Sequence, residues 1–79
     1  MTFEELQYIV TLMREEAARR EAEYREVKKL SNDLDDGYIT EDEAGEDADT
    51  LRRKAEELGQ RSGQAEAYLR LFLSYDWKT

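Results

Sequence analysis

An all-α antiparallel hairpin is the fold this 79-residue sequence predicts, and three observations carry it. Apolar and small residues recur at steps of three and four on both sides of Asp35-Asp36-Gly37-Tyr38, the two series mirror each other about that turn, and the chain holds no proline to interrupt a helix. Upstream the series reads Leu6, Val10, Met13, Ala17, Arg20, Tyr24, Val27, Ser31 and Leu34. Downstream it reads Ala44, Ala48, Leu51, Ala55, Leu58, Ser62, Ala65, Leu69 and Phe72. Folded at the turn, Leu34 faces Ala44, Val27 faces Leu51, Arg20 faces Leu58, Met13 faces Ala65 and Leu6 faces Phe72. The residue numbers of each such pair sum to 78, and those of the alternate rungs (Ser31 with Ala48, Tyr24 with Ala55, Ala17 with Ser62, Val10 with Leu69) sum to 79. Two independent heptad series agree on one fold point when they face each other, as in a coiled-coil-like hairpin.

The elements follow in order within one domain covering residues 1–79. Thr2-Phe3-Glu4-Glu5 is a capping box, so a first helix is expected over about 3–35. Its middle carries Glu15/Arg19, Glu16/Arg20 and Glu21/Arg25 at the spacing of four that supports isolated helices. Gly37 takes the left-handed conformation that ends it, with Tyr38 and Ile39 covering that end, in a turn over 36–39. Thr40 and Glu43 form a second capping box, opening a second helix over about 41–75. Gly45, Gly59 and Gly63 weaken it, and Gly59–Gly63 is the expected place for a bend or break. Arms of roughly 33 residues would be about 50 Å long. The seam is narrow where Ala17, Ala18 and Ala22 lie opposite Gly59, Ser62 and Gly63. Arg20 sits on the seam with its stem packed and its head turned to water or a glutamate.

Composition narrows the function classes. Without cysteine there is neither a disulfide nor a thiolate metal site, and without histidine the commonest general base and metal ligand is missing. No glycine-rich phosphate loop occurs, and paired carboxylates on a solvated helix lack the cleft that glycosidic chemistry needs. A non-enzymatic protein without a cofactor or metal is therefore expected. The acidic start lacks the basic and apolar regions of a signal peptide, and no apolar run approaches a membrane span, which points to a cytoplasmic protein, in the host cell if phage-encoded.

The net charge of −8 argues against nucleic acid or an anionic membrane as a direct ligand. Arg14, Arg19, Arg20, Arg25, Lys28, Lys29, Arg52, Arg53 and Lys54 are interleaved with glutamates, as on a solvated face. The excess is local: Asp33, Asp35, Asp36, Glu41, Asp42, Glu43, Glu46, Asp47 and Asp49 make nine acids without a base between Asp33 and Asp49. The other residues carry eleven acids against twelve bases.

The stretch from Asn32 to Glu43 resembles an EF-hand calcium loop, with Gly37 as turn glycine and Glu43 in the last ligand position. Asn32 in the first position and Leu34 in the third depart from that pattern. Leu34-Asp35-Asp36-Gly37-Tyr38-Ile39-Thr40-Glu41-Asp42-Glu43 also resembles the helix–turn–helix connection of short bihelical domains of the SHOCT type. That resemblance implies a structural turn, and it covers about ten residues.

Two candidate sites remain, one at each end of the hairpin. The acidic tip fits a basic groove built for phosphates. By analogy of size, charge and shape with anti-CRISPR and DNA-mimic proteins, it points to an inhibitor from a mobile element that engages a basic, nucleic-acid-handling protein. At the opposite end Phe3, Tyr8, Ile9, Leu12, Tyr68, Leu71, Phe72, Leu73, Tyr75 and Trp77 overflow the seam. They point to self-association as a homodimer, in a four-helix bundle, or to a protein partner. The alternative function is accordingly a structural or assembly coiled coil, such as a phage-particle or complex component, acting through the aromatic end. Residues 74–79 curling back over this end would instead make a small local core.

Overall fold

The computed structural model describes residues 1–75. Three helices follow in order: α1 over Phe3–Asp35, the single turn α2 over Glu41–Ala44, and α3 over Ala48–Ser74. The described residues contain no strand. The long helices α1 and α3 pack against each other as an antiparallel pair, giving a rod of 56 × 16 × 15 Å.

Each helix boundary has a local cause. At the start of α1 the Glu5 N–H donates to Thr2 Oγ1 at 3.1 Å, and the Thr2 N–H donates to Glu5 Oε1 at 3.3 Å. At its end the Tyr38 N–H donates to the Asp33 carbonyl and the Gly37 N–H to the Leu34 carbonyl. Gly37 sits at φ +82°, so this is a Schellman ending whose left-handed residue carries no Cβ penalty. Ile39 is half-buried but Tyr38 remains exposed, so only one of the two expected residues covers the helix end.

The second arm differs from the single helix expected over 41–75. Thr40 and Glu43 do form their capping box, but the helix they open lasts one turn. Gly45, at φ +79°, closes it by donating its N–H to the Glu41 carbonyl at 2.9 Å. Asp47 then starts α3 by accepting the Thr50 N–H at 2.7 Å. A left-handed glycine followed two residues later by an aspartate N-cap is a complete stop-and-restart signal. Gly59 and Gly63, where the bend or break was expected, lie inside the uninterrupted α3. Neither adopts positive φ, and glycine without a left-handed backbone merely lowers helix propensity.

The mirrored series forms the seam. The five buried residues among those described, Ala17, Ser31, Leu51, Ala55 and Ser62, all belong to it, and its other members are all half-buried. Arg20 and Leu58 line one recess, and Met13 and Ala65 another, as their rungs require. Arg20 Nε donates to Glu16 Oε1 at 2.6 Å, so the head of this seam arginine is held along its own helix. Near the tip Arg52 Nη2 donates to Asp35 Oδ1 at 2.7 Å, tying α3 to the end of α1. At mid-rod the Tyr24 ring lies against Gly59, its Cε1 only 3.0 Å from where a Cβ would stand.

No described side chain is wholly enclosed. The accessible surface is 6308 Å² at 9.3 kDa, against roughly 5,000 Å² for a compact chain of that mass. Two helices shield only one stripe of each other, which leaves the remaining faces open.

Candidate functional site

The acidic tip divides into acids that hold the fold and acids that do not. Asp35 and Asp49 pair with Arg52, at 2.7 and 3.4 Å, and Glu46 pairs with Lys54. Glu43 closes the α2 capping box and Asp47 caps α3. Hydrogen bonding from Arg52 draws Asp35 below the usual carboxylate range, and hydrogen bonding from Thr50 does the same for Asp47. The Arg52 guanidinium is raised in turn by its bond to Asp35. Asp33, Asp36, Glu41 and Asp42 make no ion pair or side-chain hydrogen bond among the described residues. Asp33 is half-buried and the other three are exposed.

The lowered Asp47 carries a pH signature. A depressed folded-state value means that the unfolded chain binds the proton first as pH falls. The cap's contribution is therefore full above the unfolded carboxylate value near 4 and disappears as pH drops through the folded value. Asp47→Ala is expected to lower the melting temperature at neutral pH, and the gap from the parent chain is expected to narrow on acidification. Thermal melts followed by circular dichroism across pH 7 to 3 check this; a constant gap contradicts it.

The calcium-loop resemblance does not extend to geometry. Asn32 and Leu34 belong to α1, and the Glu43 carboxylate accepts from the backbone and hydroxyl of Thr40. Among the described residues no group of three or more acids, histidines or cysteines is arranged to hold a metal ion.

The opposite end is apolar and open. Phe3, Tyr8, Leu12, Tyr68, Leu71, Leu73 and Tyr75 are exposed, the three tyrosines by 62–66%. Ile9 and Phe72 are half-buried, and Trp77 lies outside the described residues. Tyr68, Leu71 and Phe72 stand at i, i+3 and i+4 on α3, with Tyr75 at the extended residue that caps its end, while Tyr8 and Leu12 stand at i and i+4 on α1. Leu12 and Tyr68 line one recess together with Met13 and Ala65, which places the two stripes on the same side of the seam. Phe3 lines a separate recess with Gln7, Val10 and Arg14. The aromatic residues therefore form one main patch with Phe3 apart from it.

Between the ends runs a feature that the sequence pattern indicated only as a run of small seam residues. An open groove of about 760 Å³ lies along one side of the α1–α3 seam, with Ser31, Ala55, Ser62 and Gly63 among its lining residues. Ser31 and Ser62 are only 4% and 6% exposed. Neither hydroxyl makes a hydrogen bond among the described residues, and neither is sealed from solvent, so both remain open to the groove.

None of the protein-family models, curated proteins or solved structures compared with this chain matches it. Fold and surface define its class: an all-α hairpin with an acidic tip, an open mid-rod groove and an aromatic end. Among the described residues no helix is long and apolar enough to cross a membrane.

Proposed function

We propose that this chain is a non-enzymatic protein-binding module that works within an assembly through its aromatic end. The observation that carries this reading is the contiguous stripe of Tyr8, Leu12, Tyr68, Leu71 and Tyr75, exposed on one side of the rod. Its three tyrosines alone leave roughly 380 Å² open, at about 200 Å² per aromatic side chain. With the leucines the patch reaches the size at which surface apolar area marks an interface. Tyrosine supplies large, rigid contact area and is enriched among binding hot spots.

A second reading keeps the acidic tip as the binding element, in an inhibitor of a basic, nucleic-acid-handling protein. Asp36, Glu41 and Asp42 favour it, being exposed acids without a structural partner, on a chain of net charge −8. Affinity capture from the source cell, with three baits compared side by side, separates the readings. Under the first, a specific partner is retained by Asp36→Lys/Asp42→Lys and lost by Tyr68→Ala/Leu71→Glu. Under the second the pattern reverses, and capture weakens steeply with salt. A partner retained equally by all three baits overturns both.

A further inference from the structure

We infer that the partner of the aromatic end is a second copy of this chain, packed antiparallel about a two-fold axis at Tyr68 with the two acidic tips pointing outward. The inference rests on the aromatic end being the binding surface and names what covers it.

The chain's own deficit of burial favours a second copy over a foreign partner. Leu51 is the only large apolar residue among the buried ones described, and no described side chain is wholly enclosed. The surface exceeds that of a compact chain of the same mass by about 1,300 Å². With neither cysteine nor histidine, the sequence supplies no disulfide and no thiolate or imidazole metal site to offset this. Association is the remaining way to stabilise so small a chain, and two hairpins complete each other as four helices.

Area agrees. Tyr8, Tyr68, Tyr75, Leu12 and Leu71 together expose roughly 500 Å², at about 200 Å² per aromatic and about 100 Å² per leucine side chain. A standard interface takes about 800 Å² from each partner, and in homodimers about 65% of that is apolar. One patch from each copy therefore supplies the apolar part of a stable dimer.

The patch is also self-complementary in shape. On one side of Tyr68 lies a recess of about 440 Å³ bounded by Leu12, Met13 and Ala65, and on the other Leu71 projects, 66% exposed. Ala65 and Leu71 each stand three residues from Tyr68 on α3. A two-fold axis at Tyr68 thus sets Leu71 of each copy over the recess of the other, and Tyr68 against its own counterpart.

Charge selects the orientation. Residues 3–14 and 65–75 carry three acids and two bases, so two aromatic ends approach without repulsion. Residues 33–49 carry nine acids and no base, so a parallel packing that brings two tips together is opposed. The antiparallel overlap leaves the tips at opposite extremes of the particle, separated by far more than the Debye length of about 8 Å.

Sedimentation equilibrium of the full chain at low and high micromolar concentration tests the inference. The parent chain is expected to dimerise. Tyr68→Ala and Leu71→Glu are each expected to weaken the dimer by at least about tenfold with undiminished helical circular dichroism, because both positions are exposed in the hairpin. Phe3→Ser, in its separate recess, is expected to leave the dimer intact. Spin labels on Asp36→Cys are expected to show no dipolar coupling between copies. A parent chain that stays monomeric, a Leu71→Glu chain that stays fully dimeric, or a measurable coupling between the tips overturns the inference. A monomeric chain whose aromatic end still captures a foreign protein overturns this inference alone and leaves the proposed function standing.

Discussion

Leu51→Ala is expected to remove about 2–4 kcal/mol of stability, the range for deleting a buried leucine side chain whose surroundings relax only partly. Leu51 is 3% exposed and is the only large apolar residue in the buried set, whose other apolar members are Ala17 and Ala55. The hairpin has little else in reserve. Small single domains hold about 5 kcal/mol at the low end, so this substitution brings the chain close to unfolding at room temperature. The melting temperature is expected to fall by about 15 °C, at fixed protein concentration so that association does not intrude. Urea unfolding followed by circular dichroism measures the loss. A cost below about 1 kcal/mol would mean that the seam does not hold the helices together.

Gly45→Val is expected to melt α2 while leaving α1 and α3 in place. Gly45 holds φ +79°, where a β-branched residue meets its own carbonyl, at a cost on the order of 1–2 kcal/mol. A Cβ there would touch nothing within 4 Å, so the effect isolates backbone strain from steric conflict with neighbours. Amide chemical shifts are expected to change over residues 40–50 and to stay constant through the middle of both long helices. A valine tolerated without local change would show that the left-handed ending is not what separates α2 from α3.

Much of the fold was legible because one periodicity governs it. Every residue of the mirrored series is buried or half-buried, since a two-helix seam leaves helix faces no other place to hide. Both threonine capping boxes were legible for a different reason, their partners being only three residues away. The division at Gly45 was missed because Ala44 and Ala48 keep the seam step across it, so the pattern did not register the interruption. The signal was the Asp47 cap just beyond a glycine. At the tip, charge counting revealed the acids but not their employment. Only the folded chain brings Arg52 to Asp35, seventeen residues away, and Lys54 to Glu46. The groove was least legible, because a concavity depends on how closely two backbones approach and leaves no periodic trace.

The rungs of the seam also define how the molecule bears load. The start of α1 and the end of α3 lie side by side at the aromatic end, so a pull that separates them loads one rung at a time. The hairpin would open as a zipper, at low force, from the Leu6 rung toward the tie between Asp35 and Arg52. A pull from tip to aromatic end instead loads all the rungs of the 56 Å rod together in shear. A partner gripping only the aromatic end of one helix would therefore act at the mechanically soft point, and one gripping both helices would clamp the zipper shut.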